Sequence, residues 1–274
     1  MNTRNDQLTL LIKGKLAPYY IFSFIIAILM LIASVIGLQY NTIIYPTEEL
    51  ARTFIPNDVV NLLVGLPILL GSMWLAWRGK LIGLLCWPGA LFFVFYNYTA
   101  YVFAMPFNWM FPMHLILMML SVYALVALVA LINGKAVQQR LSGSVHERFG
   151  GGVLAGFGIL FLLRVIGVMA GALTSGTPPV ETELAVNIAD FLTTPAWVIG
   201  GIMLWKRKEL GYVTGMGLLF QGSMLFIALI ALLLLQPFLT GAPFALVDVI
   251  VIFVMGSICF IPFALFARRV SAKS

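Results

Sequence analysis

The sequence predicts an all-α polytopic membrane protein with eight transmembrane helices. Three observations predict it. The 274 residues are 62% hydrophobic and only 9% charged, whereas a soluble domain is about 45–50% apolar and about 25% charged. The apolar residues gather into eight runs, each near the ~20 residues that a helix needs to cross a ~30 Å hydrocarbon core. Lysine and arginine then fall almost entirely in every second loop. This composition excludes a soluble globule, and the partner it implies is the lipid bilayer. The net charge of +6 and the isoelectric point near 9.4 do not point to nucleic acid, because the cations sit in short loops where they orient helices.

The elements follow in order. Residues 1–17 form a cytoplasmic N-terminal segment. The first span, 18–39, is longer than the ~7–15-residue core of a signal peptide and reads as an uncleaved helix. An outside loop at 40–57 leads to the second span, 58–77. Within that loop Glu48, Glu49 and Arg52 read as a surface helical turn. Arg78-Gly79-Lys80 makes a tight turn into the third span, 81–104. In Met105-Pro106-Phe107-Asn108, the proline ends one helix and the asparagine caps the fourth span, 109–133. An inside loop at 134–150 precedes spans at 151–174, 185–205, 211–235 and 244–267, and residues 268–274 form a basic cytoplasmic tail.

The distribution of cations supports this count. With the N-terminus inside, 14 of the 16 lysines and arginines are cytoplasmic: Arg4, Lys13, Lys15, Arg78, Lys80, Lys135, Arg140, Arg148, Lys206, Arg207, Lys208, Arg268, Arg269 and Lys273. Arg52 is outside and Arg164 is within a span. Seven or nine spans would break the alternation, so a multi-pass protein of the cell membrane with both termini cytoplasmic is expected. Trp77, Trp109, Trp205, Tyr19, Tyr20 and Tyr212 fall near span ends, as interfacial aromatics do. A shift of 128 lays Pro67, Trp77, Arg78, Lys80, Gly83 and Gly89 on Pro195, Trp205, Lys206, Lys208, Gly211 and Gly217. The same shift superposes 18–133 on 151–267, which predicts two parallel four-helix halves about an axis along the membrane normal.

Arg164 is the first candidate functional residue. An arginine at membrane depth costs about 2.5–3.5 kcal/mol on insertion scales and marks an ion or ligand pathway, or else an ion pair locking two helices. Gly167 and Gly171 share its face, which predicts close approach of another helix there. Asp58, Asp190 and Asp248 enter from the outer ends of other spans. Asp190 lies in a polar stripe with Asn187 and Thr194, and Asp58 precedes Asn61 by three residues. For Asp58 and Asp248 the competing reading is a carboxylate capping the first helical turn. A second group is Tyr96-Asn97-Tyr98-Thr99-Ala100-Tyr101 with Asn108, in which Asn97, Tyr101, Ala104 and Asn108 recur at helical spacing; its hydroxyls and amides could line a polar cavity or hydrogen-bond between helices. His114 with Met105, Met110, Met113, Met118 and Met119 has soft-metal ligand types, but methionine is also a common core filler, and no metal is assigned.

Several chemistries lack their residues. All lysines lie in loops, and no His-x-x-x-His, Cys-x-x-Cys or phosphate-loop spacing occurs. Cys86 and Cys259 fall inside apolar runs and form no disulfide framework. No cofactor is expected. The functional expectation is therefore a transporter or a small-molecule or lipid-binding protein. Its outward-facing polar pocket would have Arg164 holding an anionic small molecule or lipid headgroup, with the acids tuning the field or carrying protons. The alternatives are an intramembrane enzyme acting on a lipid or isoprenoid, for which His114 and Asp190 are the candidate acid and base, and a structural or assembly partner in which Arg164 is merely paired.

Overall fold

The computed structural model describes residues 10–272; Arg4 and Lys273 lie outside them. The described chain is all-α, with eight helices long and apolar enough to cross a membrane. They are α1 (Ala17–Gln39), α2 (Glu48–Trp77), α3 (Leu81–Ala104), α4 (Phe111–Leu131), α5 (Glu147–Ser175), α6 (Glu181–Trp205), α7 (Glu209–Thr240) and α8 (Leu246–Ala272). Among the described residues there is no strand, only one isolated bridge between Ile12 and Ile132. Lys13 N–H donates to Leu131 O and Asn133 N–H to Leu11 O, tying the N-terminal segment to the end of α4.

Helix α3 is the centre of the bundle. Its apolar stretch is 89% buried, against 22–44% for the other seven, so the rest of the protein is arranged around it. Helix α7 packs along it, and the crossing point is Gly89 against Gly217. A Cβ built on Gly89 would strike the Gly217 carbonyl and lie 2.9 Å from its Cα. These two positions are related by the 128-residue shift. The turns before both helices share a hydrogen-bond pattern at the same shift: Gly79 N–H to Ala76 O and Lys80 N–H to Leu75 O, then Arg207 N–H to Leu204 O and Lys208 N–H to Met203 O. Both turns need a left-handed residue; Gly79 supplies it at φ 78°, and Arg207 takes it at φ 54°.

The observed helices depart from the expected spans mainly at their polar ends. Helix α2 begins at Glu48, not at residue 58, so most of the expected 40–57 loop is helical. Thr47 caps it by accepting from Leu50 N–H, and Glu48 and Glu49 sit in its first turn, where the helix dipole favours acids. Pro56 lies inside this helix and cannot donate to Arg52 O one turn back. Gln236 Nε2 of α7 supplies the missing donor at 3.1 Å. A π turn, Asn61–Gly65, then interrupts α2 just below Asp58. The 134–150 loop likewise contains a short helix, Gly134–Leu141, capped by Asn133 and packed on α7.

The face holding Leu10 and Ala272, the first and last described residues (the terminal face), is bound together by a buried acid. Glu147, 4% exposed, accepts from Gly143 N–H at 2.9 Å and Tyr212 Oη at 2.8 Å, and lies 3.7 Å from Arg207. Tyr212 is therefore a buried hydrogen-bond donor and not an interfacial aromatic. Trp77, Trp109 and Trp205 are exposed, as expected of a belt. At the opposite, distal face, Thr182 hydrogen-bonds Glu49, joining α6 to α2, and Arg52 pairs with Glu48 at 2.5 Å.

Candidate functional site

A cavity of about 280 Å³ opens in the distal half between α2, α3, α5, α6 and α7. Helical spacing puts its wall together. Val186, Asp190, Thr193, Thr194 and Trp197 line one stripe of α6, and Tyr96, Asn97 and Ala100 one turn of α3. Helix α2 adds Phe54 and Asn57, α5 adds Phe161 and Arg164, and α7 adds Phe226 among its leucines. An apolar cavity of ~150 Å³ takes benzene; this one is nearly twice that and is walled by five aromatic rings: Phe54, Tyr96, Phe161, Trp197 and Phe226.

Arg164 and Asp190 meet on this wall. Arg164 lies 11 residues before Ser175, the last residue of α5, or roughly 16 Å from that end at ~1.5 Å per residue. One of its terminal nitrogens donates to Asp190 Oδ2 at 3.1 Å, and Tyr96 Oη donates to Asp190 Oδ1 at 3.0 Å. The Asp190 side chain is 10% exposed, whereas that of Arg164 is 44% exposed. A guanidinium has five N–H donors, and among the described residues the Asp190 contact is the one hydrogen bond Arg164 makes. Two buried polar groups on the same wall, Asn97 Nδ2 and Thr194 Oγ1, have no partner among the described residues.

Asp58 forms a separate cluster behind Phe54. It is 2% exposed and accepts from Tyr45 Oη at 2.5 Å and from Tyr101 Oη at 2.7 Å. Asn61 Nδ2 reaches Tyr101 Oη at 3.4 Å. Gly37 of α1 makes the room: a Cβ there would collide with both Asp58 Oδ2 and the Tyr45 hydroxyl. Tyr45 lies between α1 and α2, where burial, and then the Asp58 carboxylate, hold its pKa well above the ordinary phenol value, so it remains a donor. Phe54 packs on Tyr45 at 5.9 Å and on Tyr101 at 4.6 Å, separating the cluster from the cavity.

The other expected residues divide. Asn97 lines the cavity, and Asn61 and Tyr101 belong to the Asp58 cluster. Asn187 is 1% exposed, donates to Glu183 O and does not reach the cavity wall. Asp248 stands exposed in the first turn of α8, away from the cavity. Asp58 caps nothing, because α2 starts ten residues earlier and Thr47 caps it. Asn108 lies beyond the end of α3, so it shares no face with Tyr101, and the expected cap is corrected: it accepts from Met110 N–H in the turn before α4, whose N-cap residue is Met110 and which no side chain caps. His114 is 2% exposed, its ring 4.9 Å from that of Tyr101, and it lies off the cavity wall. The expected approach of a helix at Gly167 and Gly171 is also corrected: a Cβ at either would meet nothing within 4 Å. The close contact on α5 is instead at Gly151 and Gly158, against the backbone of α6 at Gly201 and Thr194.

Sequence reasoning missed Tyr45 and Trp197 as site residues, and within the run 96–101 it did not single out Tyr96. Trp197 Nε1 donates to the buried Gln221 Oε1 at 2.6 Å, and Gln221, a lone amide in a long apolar run, was the available signal. Together the fold and the cavity define a polytopic all-α membrane protein with a partly open cation on an aromatic intramembrane cavity. Comparison with protein-family models, with curated proteins and with solved structures finds no match.

Proposed function

We propose that the protein is a membrane-embedded binding protein or transporter for an amphipathic anion. The anionic group binds Arg164 and the apolar body fills the aromatic cavity. The observation that carries this reading is the Arg164 side chain, 44% exposed on the cavity wall and engaged through one nitrogen alone. A guanidinium so held keeps donors in the fork that suits carboxylate, sulfonate or phosphate oxygens. Asn97 Nδ2 and Thr194 Oγ1 add unpartnered polar atoms to the same wall. Ligand pockets typically combine a mostly apolar wall with a few such convergent groups.

A purely structural role for Arg164 fits less well, since a locking ion pair gains from enclosure of both partners. The enzymatic reading has no specific observation behind it, because His114 and Asp190 belong to different clusters. The test is ligand-induced stabilisation of the purified protein in a neutral maltoside detergent, with decyl sulfonate beside decanol. Wild type is expected to be stabilised by the sulfonate and not by the alcohol, and Arg164→Met by neither. Equal stabilisation by both compounds, or by the sulfonate in wild type and Arg164→Met alike, counts against Arg164 as the anion site. Flux of the sulfonate in proteoliposomes then separates transport from binding.

A further inference from the structure

Among the described residues, the distal interior of the bundle holds one cation, Arg164, and two carboxylates, Asp190 and Asp58. Asp190 has the cation. Asp58 has phenols around it and no cationic partner among the described residues. An ionised carboxylate taken out of water without a counter-charge is among the costliest groups to bury, and it is relieved by a proton or a cation.

The groups facing Asp58 come from every neighbouring helix. Helix α1 contributes Ser34, and none of its residues beyond Tyr20 is ionisable. The segment after α1 contributes Tyr45, and α3 contributes Tyr98 and Tyr101. Helix α4 contributes His114, its ring tilted against the two α3 tyrosines. Helix α7 has no ionisable side chain beyond Tyr212. On α2 itself the nearest charged groups are Glu48, Glu49 and Arg52, toward the distal surface, where Arg52 pairs with Glu48.

The polar atoms around this carboxyl suit two protonation states. As an ion it accepts from Tyr45 and Tyr101. Once protonated, it must donate to one of those phenol oxygens, whose own hydrogen then needs a new acceptor. Two buried groups can answer this: Asn61 Oδ1, on the amide that reaches Tyr101 and without a partner among the described residues, and the Ser34 hydroxyl, which faces Asp58 and Tyr98 and can accept as well as donate. The cavity is one side chain away. Phe54, packed on both phenols, and Asn57, next in sequence to Asp58, line its wall.

We propose that Asp58 is a proton-binding site linked to the cavity, taking up one proton when an anion binds beside Arg164 and releasing it when the anion leaves. This rests on the reading of the cavity as an anion site. The physical link is charge. Arg164 with Asp190 is neutral, so an arriving anion makes the interior more negative, and neutralising Asp58 offsets that change. By linkage, the proton raises anion affinity by the same factor as the anion raises proton affinity. The step moves one proton from solvent to Asp58 and breaks no other covalent bond.

The test is decyl sulfonate binding in neutral maltoside with weak buffer, at mildly acidic to mildly alkaline pH, where the probe stays ionised. Wild type is expected to take up about one proton per bound anion at the alkaline end, where affinity falls about tenfold per pH unit. A protonated-carboxyl C=O band is expected to appear in the infrared difference spectrum on binding. Asp58→Asn, which keeps an acceptor for Tyr45 and gains a donor for Tyr101, is expected to bind with the acid-limit affinity at every pH, with no proton uptake and no band. Binding without proton uptake in wild type, or the same uptake in Asp58→Asn, overturns the inference and leaves the cavity reading standing. No binding by wild type defeats that reading and the inference with it. Should Asp58→Asn fail to fold, the wild-type proton count and infrared band decide alone.

Discussion

Replacing Arg164 by methionine isolates what the intramembrane ion pair contributes. The contact is single, at 3.1 Å, with the Asp190 side chain 10% and the Arg164 side chain 44% exposed. Charge centres ~4 Å apart attract by about 4 kcal/mol at an effective dielectric of ~20, before desolvation and side-chain ordering are subtracted. Fully exposed pairs net ~0–1 kcal/mol, and breaking a fully buried pair costs ~3–5 kcal/mol. A half-open guanidinium on an enclosed carboxylate falls between these limits. Asp190 also keeps the Tyr96 hydrogen bond at 3.0 Å after the change. The expected loss for Arg164→Met is therefore about 2 kcal/mol, or roughly 4–8 °C in Tm at ~2–4 °C per kcal/mol for a large domain. Adding Asp190→Asn removes the orphaned charge and is expected to restore at least half of the loss. The assay is thermal unfolding followed by tryptophan fluorescence, in one neutral detergent, for wild type, both single variants and the double variant. Additive losses, with coupling under ~0.5 kcal/mol, would show that the pair carries no energy. A loss above ~5 kcal/mol would refute the half-open description and make the pair a structural lock.

Three further outcomes are expected. Gly89→Ala drives a methyl into the Gly217 backbone at the centre of the bundle, at a cost of about 1–3 kcal/mol or more; Gly167→Ala, which meets nothing within 4 Å, leaves Tm unchanged or slightly raised, and equal effects of the two would contradict the packing. Trp197→Phe keeps the ring on the cavity wall and strips the buried Gln221 of its donor, costing about 1–3 kcal/mol; Gln221→Leu in the same chain is expected to recover part of that loss, measured by thermal unfolding. Glu147→Ala removes the acceptor shared by Gly143 and Tyr212 and is expected to lower stability by about 2–3 kcal/mol. Glu147→Gln, which retains an acceptor oxygen, is expected to lose less, and equal losses would mean that the carboxylate's charge and not its hydrogen bonds binds this face.

The fold was legible because bilayer thickness and loop charge are recorded directly in composition; the span 81–104 matches α3 at both ends. The departures lie where polar residues extend a helix past its apolar run. Hydropathy alone could not register that Thr47 caps, that the glutamates suit a first turn, or that Gln236 relieves Pro56. The pairing of Arg164 with Asp190 was within reach, since a cation and an acid at matching depth on neighbouring helices have reason to meet. Its third member was not: Tyr96 is one tyrosine in a run that also holds Tyr98 and Tyr101, and helix rotation alone decides which meets Asp190 and which meets Asp58. Gly167 and Gly171 misled because small residues permit close packing without requiring it. At the distal end of α5 they face open space, while the same residue type at Gly151 and Gly158 meets α6.

The seam between the N-terminal segment and the end of α4 has a consequence for the order of assembly. The hydrogen bonds from Lys13 to Leu131 and from Asn133 to Leu11 bring together residues more than a hundred positions apart. During synthesis they cannot form until residue 133 has left the ribosome, when α1 to α4 have all been made. Asn133 also caps the short helix Gly134–Leu141, whose Gln138 donates to the Arg207 carbonyl at 2.7 Å. The segment that closes the first four helices is therefore the one on which the α6–α7 turn later docks. A nascent chain arrested just before this segment lacks both the clasp and the dock, and one arrested just after it has the clasp in place before α5 begins.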